Sequence, residues 1–156
     1  GYTEGHRRRL QVVQAYVDKF GQEDLYGWGL THELPLTEKS TGLKDYMFSF
    51  ACENANYPTY FTEKLTDCFA CGTIPVYYGT VGVAQYFNPD GIIFLDQHSP
   101  WDKIPWDKLT EEYYESKKDA IEENFEIAKC MRVAEDYMYG NYLAQLDPLR
   151  NKKPQV

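Results

Sequence analysis

The sequence predicts an α/β fold, a doubly wound parallel sheet with flanking helices. Three observations carry this. Residues 46–52 and 73–78 are apolar runs of strand length with a helical pattern between them, all within about 33 residues. Strand, helix, strand at that spacing is a βαβ unit, and its strands must run parallel. The runs are nearly continuous rather than alternating, which implies cover on both faces of the sheet. A third apolar run, Gly91-Ile92-Ile93-Phe94-Leu95-Asp96, extends the same unit.

The elements follow in order. Residues 7–20 read as a helix, with Leu10, Val13 and Val17 at helical spacing and Gly21 as its stop. Residues 25–29 read as a short strand entering a glycine-containing turn, and residues 30–44 are polar and loop-like. After the strand at 46–52, residues 62–71 place Leu65, Cys68 and Phe69 on one helical face, with Gly72 as the C-terminal cap. The strand at 73–78 stops at Gly79. Pro75 counts against a central, fully bonded position for it. A short helix over 81–87 leads to the third strand. Residues 97–108 read as a loop containing Pro100, Trp101, Pro105 and Trp106. Residues 109–146 read as helical, with a break and an apolar stripe of Ile121, Phe125, Ala128, Met131, Ala134, Met138 and Tyr142. Such a stripe is core packing. The 156 residues suffice for one domain with its own core, spanning 1–156.

Composition narrows the function classes. The net charge is −8, and the one basic cluster is Arg7-Arg8-Arg9. Nucleic-acid binding needs broad phosphate neutralisation, so it is not expected. Three arginines are enough for one phosphate group. Fourteen tyrosines suit sugar or base binding, although packing also enriches tyrosine. No run of about 18 apolar residues occurs, so no membrane span is expected. Free cysteines and no visible secretory signal make the cytoplasm the default location. A Golgi lumen location is the alternative if the chain is a piece of a longer eukaryotic protein.

Four cysteines are present, Cys52, Cys68, Cys71 and Cys130. The pair Cys68-x-x-Cys71 falls inside a predicted helix, with no second pair and no neighbouring paired histidines. A four-ligand zinc site cannot be built from that spacing, and small buried helix residues is the favoured reading.

The most informative stretch is FACENANYPTYFTEKL, residues 50–65. It lies at the carboxyl end of the first sheet strand, the edge where such sheets bind ligands. The loop from Glu53 to Phe61 has nine residues, longer than the usual two to six. It carries Asn54, Asn56, Tyr57 and Tyr60, and the next helix opens with Thr62, Glu63 and Lys64. A helix N-terminus attracts anions, so a lysine in the first turn is unfavourable unless an anion lands there. The plainer reading has Lys64 solvated and Glu63 satisfying the dipole. No dinucleotide glycine fingerprint, phosphate-binding P-loop or serine nucleophile elbow occurs. His6, His32 and His98 are scattered. A phosphate site without those motifs leaves nucleotide-sugar binding open.

Residues 46–54 (YMFSFACEN), then 60–65 (YFTEKL), then 72–79 (GTIPVYYG), resemble the signature of the α-1,3/4-fucosyltransferase family. Tyr86-Phe87-Asn88-Pro89 with Gly91-Ile92-Ile93, the early Gly5-His6-Arg7-Arg8-Arg9-Leu10 and Tyr26-Gly27-x-Gly29 resemble further family segments. The resemblance covers roughly residues 5–96. Cys52 departs from it, standing where the family usually has Phe.

The resemblance implies a Rossmann-like domain, one half of a GT-B type glycosyltransferase, that binds GDP-fucose for inverting transfer to a glycan hydroxyl. It implies donor-contact roles for Asn54, Tyr60, Glu63 and Lys64, and for one arginine of the triplet. Arg9, just before the apolar Leu10, is favoured and Arg7 is the alternative. The general base is expected outside this chain, in an N-terminal acceptor domain. No metal or other cofactor is expected, since no Asp-x-Asp occurs and two cations can serve the diphosphate. The alternatives are a non-catalytic nucleotide-sugar-binding domain and a transferase using a different nucleotide sugar.

Overall fold

The computed structural model describes residues 4–27, 30–34 and 36–131. Three parallel strands, β1 (Phe48–Cys52), β2 (Ile74–Tyr78) and β3 (Ile93–Phe94), form a sheet in the order β1-β2-β3. Helix α1 (Glu4–Phe20) precedes them, α2 (Glu63–Ala70) joins β1 to β2, and α3 (Glu111–Ser116) and α4 (Lys118–Cys130) follow. Phe48 pairs with Ile74 and Cys52 with Tyr78, so β1 and β2 lie in step over five residues.

The alternation of the pleat sorts the strand side chains between two cores. On one face Ala51 and Tyr77 meet Leu65, Cys68 and Phe69 of α2 and Ala128 of α4. On the other, Cys52, Ile74, Val76, Tyr78 and Ile93 meet Val12 of α1, with Trp106, Tyr113 and Tyr114 packed around them. Cover on both faces is why all five β2 residues are buried.

Helix α2 forms as its sequence dictates. Thr62 caps its start, and Gly72, at φ +69°, turns the chain out past its end. Helix α1 begins earlier than predicted and buries a different face. Leu10 is 57% exposed, while Val12 is 1% exposed and sits on one side with Gly5 and Ala15. The buried stripe is built from small residues, because α1 lies close to the chain beneath it. A Cβ on Gly5 would stand 2.2 Å from the Asn54 carbonyl oxygen.

Pro75 sits on the central strand, against expectation. The N–H of Ile74 bonds Met47 O and the N–H of Glu53 bonds Tyr78 O, so those β2 positions face β1. Pro75 faces the other side, where β3 begins only opposite Val76, so no ladder bond requires its missing N–H.

The third strand is shorter than predicted, because Gly91 belongs to a 3-10 turn, Pro89–Gly91, pressed against Asn124 of α4. The predicted helix at 81–87 is a 3-10 helix over Val81–Gln85, capped by Thr80. The polar stretch before β1 holds another 3-10 helix, Leu36–Gly42, and the loop before α3 holds Trp106–Lys108. Of the predicted strand at 25–29, Tyr26 makes one isolated bridge to His32, and Trp28 and Gly29 lie outside the described residues. The predicted break in the C-terminal helix falls at Lys117, between α3 and α4. The stripe beyond Met131 (Ala134, Met138 and Tyr142) lies outside the described residues.

Candidate functional site

An open cleft of about 390 Å³ lies at the carboxyl ends of β1 and β2. The first turns of α1 contribute Glu4, Gly5 and Arg8, the loop after β1 contributes residues 54–57, and β2 contributes Tyr78. This is the ligand edge of a parallel sheet. The N-terminus of the 17-residue α1 opens onto it as well.

Two of the predicted site residues meet beside the cleft. Arg9 Nη2 donates to Asn54 Oδ1 across 45 residues of sequence. Arg9 Nε is buried and has no hydrogen-bond partner among the described residues. Arg7, the alternative arginine, instead faces solvent and pairs with Glu4 at 3.4 Å.

Arg8 is the cation the sequence reading passed over. Its Nη1 donates to the Tyr78 hydroxyl at 2.8 Å and to Gln97 O, and its Nε to Glu4 at 3.0 Å. Burial pulls its pKa down, but bonds to Glu4 and Tyr78 outweigh this and the net shift is upward. A signal did exist: Arg8 shares the helical face of Gly5, Val12 and Ala15. That face became visible only once Val12, rather than Leu10, was known to be buried.

The other predicted residues form a second group at the start of α2. Lys64 Nζ lies 3.5 Å from Glu63 Oε1 and 3.8 Å from Glu53 Oε2. Glu63 also pairs with Lys39 at 3.4 Å. Burial pushes the Glu63 carboxyl up, but Lys64, its own backbone N–H and Lys39 outweigh it, so it titrates below the ordinary range. Tyr60 donates its N–H to Tyr57 O at 3.0 Å, and the two rings meet edge to face, 6.2 Å apart. Tyr57 itself stands 65% exposed on the lip of the cleft.

Of the cysteine pair only Cys68 is core packing; Cys71 stands just past the end of α2 and is half-buried, not a buried helix residue. Cys68 is buried, donates its thiol to Lys64 O at 3.2 Å, and is pushed up to about 12 by burial. Cys52, at the position where the fucosyltransferase signature usually has Phe, is buried and likewise pushed up to about 12. Neither is a nucleophile at neutral pH.

The family model for glycosyltransferase family 10 (fucosyltransferase), C-terminal region, matches residues 2–105. The chain belongs to glycosyltransferase family 10. The matched span takes in α1, the three strands and the cleft.

The family 10 chain resembles "Alpha-(1,3)-fucosyltransferase FucT" of Helicobacter pylori, 31% identical over 87 residues, which are 55% of this chain and 18% of that protein. It also resembles a "Putative fucosyltransferase-like protein" of Arabidopsis thaliana, 33% identical over 87 residues, 56% of this chain and 17% of that protein. The aligned stretch is therefore under a fifth of each relative's length. No solved structure matches the chain. The three-stranded parallel sheet with its flanking helices agrees with one Rossmann-like half of a GT-B glycosyltransferase. Among the described residues, no helix is long and apolar enough to cross a membrane.

Proposed function

We propose that this domain binds GDP-fucose and serves an inverting transfer of fucose to a glycan hydroxyl. The observation that carries this reading is Arg9. Its guanidinium is fixed by Asn54 at the ligand edge, yet its buried Nε lacks a partner. A buried donor left unmade costs roughly 1–3 kcal/mol. A diphosphate oxygen would supply the missing acceptor and the opposite charge once the Arg9 side chain turns into the neighbouring cleft.

The chemistry follows from the charges. As fucose leaves, negative charge grows on the GDP oxygen that held it. Preorganised cations stabilise that charge more than they stabilise the ground state. Arg9 offers a planar fork suited to phosphate oxygens, and Lys64 offers a point charge. Two such cations take the role that a divalent metal plays elsewhere, so the proposed reaction needs no metal. Asn54 and Glu63 offer acceptors to ribose or fucose hydroxyls, and Tyr60 offers a ring and a hydroxyl.

The acceptor hydroxyl must also lose its proton to a general base. Glu4, the carboxylate lining the cleft, is tied to Arg7 and Arg8. We assign the base to an acceptor-binding part outside this chain.

Calorimetric titration with GDP, GDP-fucose, GDP-mannose and UDP-galactose tests the reading. Binding of the guanosine nucleotides, with GDP-fucose tightest, is expected, and unchanged by a metal chelator. Equal binding of UDP-galactose, or no binding of GDP-fucose, overturns it.

A further inference from the structure

Glu53 is an acidic side chain with no exposed surface, at the first position after β1. A buried carboxylate persists only where its oxygens are satisfied. Oε1 accepts from the Thr62 N–H at 2.8 Å, and Oε2 accepts from the Thr62 hydroxyl at 2.7 Å. Both oxygens therefore grip the residue that caps α2, and the loop between them is closed at its base.

The direction of these bonds carries the argument. A hydroxyl has one proton to give and two lone pairs. Thr62 gives its proton to Glu53, so its lone pairs are left for Lys64. They accept from the Lys64 backbone N–H at 3.4 Å and from its Nζ at 3.2 Å. Nζ also lies 3.8 Å from Glu53 itself. The ammonium has a competing partner in Glu63, 3.5 Å away and half exposed. The buried carboxylate holds Nζ inward against that competitor.

We propose that Glu53 is a positioning residue: its carboxylate, acting through Thr62, aims the Lys64 ammonium at the anion bound at this edge. The role rests on the donor-site reading above. An amide in the same place cannot perform it. With Gln at 53, the oxygen still accepts from the Thr62 N–H, but the NH₂ donates to the hydroxyl. The Thr62 proton then loses its acceptor and turns toward Lys64, donor against donor, and Nζ moves out to Glu63.

The test is titration of the full chain with GDP and with guanosine, which lacks the phosphates. Glu53→Gln, Lys64→Ala and the double variant are compared with wild type. Glu53→Gln is expected to weaken GDP about tenfold, near the lower end for a charge-assisted bond, and guanosine less than about twofold. In the Lys64→Ala background, Glu53→Gln should add almost nothing, because contacting residues that act as one unit do not add. If Glu53→Gln does not fold, Thr62→Val should give the same phosphate-selective loss and Thr62→Ser should restore binding. Equal loss of both ligands, or full additivity with Lys64→Ala, would make Glu53 a simple loop clamp and overturn the proposal. Wild type that binds no GDP removes the donor reading, and this role falls with it. That outcome is read on wild type alone, so the two failures are distinct.

Discussion

Arg9 of α1 donates from Nη2 to Asn54 Oδ1, tying the first helix to the loop after β1. Both residues belong to the proposed donor site, so neither acts alone. Arg9→Ala and Asn54→Ala should each weaken GDP binding by at least about 1 kcal/mol, the scale of one charge-assisted bond. Together they should cost less than the sum of the two single losses. Isothermal titration of the four proteins measures the coupling. Unchanged affinity in both single variants would remove Arg9 and Asn54 from the donor site.

Gly5 lets α1 approach that loop. A Cβ there would meet backbone atoms of Asn54 at 2.2, 2.5 and 2.8 Å, and backbone cannot rotate away. Gly5→Ala should therefore destabilise the fold by roughly 1–3 kcal/mol, as overpacking does, despite alanine's better helix propensity. It should also weaken GDP binding by displacing Asn54. Urea denaturation reads the first effect. A more stable Gly5→Ala variant would contradict the close approach.

Two buried polar side chains should respond in opposite ways. Asn124 accepts from the Asn88 N–H at 2.7 Å and donates to Asn88 O at 2.9 Å, fixing the turn before β3 to α4. Asn124→Ala strands both groups and should cost about 2–4 kcal/mol. The Tyr77 hydroxyl is equally buried but has no partner among the described residues. Tyr77→Phe should therefore be neutral or stabilising by up to about 1 kcal/mol. Urea midpoints of the two variants decide, and a large loss in Tyr77→Phe would show that the hydroxyl is satisfied.

The thiols should react in the order of their burial. Cys130 is exposed, Cys71 is half-buried and pushed upward by burial, and Cys52 and Cys68 are buried and pushed up to about 12. Iodoacetamide near pH 8 should label Cys130 first and Cys71 slowly, with Cys52 and Cys68 labelled only in denaturant. Peptide mass spectrometry gives the order. Early labelling of Cys68 would revive a reactive reading of the Cys68–Cys71 pair.

Glu63 sets a small pH dependence. Its folded pKa lies below the unfolded value, so its contribution is complete above the unfolded carboxyl range, about 4.3. It is lost as pH falls through the lower folded pKa. The side chain is half exposed, so the contribution stays below about 1 kcal/mol. Lys39→Ala, which removes the partner of both Glu63 and Asp67, should lower the melting temperature at neutral pH, and the gap to wild type should close in acid. A gap that persists well below pH of about 4 would place the effect elsewhere.

The βαβ unit was legible because its signals are local. Two continuous apolar runs, the Leu65-Cys68-Phe69 face, Thr62 at the helix start and Gly72 after its end lie within one window of chain. The long polar loop at the ligand edge was legible for the same reason. Arg8 was not, because its place depends on which face of α1 is buried. Leu10 advertised the wrong one, since the helix packs too closely for large side chains there. Pro75 misled because a proline forbids a central position only where a neighbouring strand needs its N–H, and β3 starts one residue too late to need it.

The sequence by itself determined the parallel α/β class and the position of the ligand edge, and its resemblance to the fucosyltransferase family marked Arg9, Asn54, Tyr60, Glu63 and Lys64 as candidates. Only the tertiary structure decided which of them meet. It joined Arg9 to Asn54, added Arg8 through Tyr78 and Gln97, and buried Glu53 under Thr62 and Lys64. Periodicity reports that a side chain will be covered or exposed, because it follows from the geometry of one element. The identity of a partner 45 or 89 residues away follows from how elements dock, and no local pattern records that.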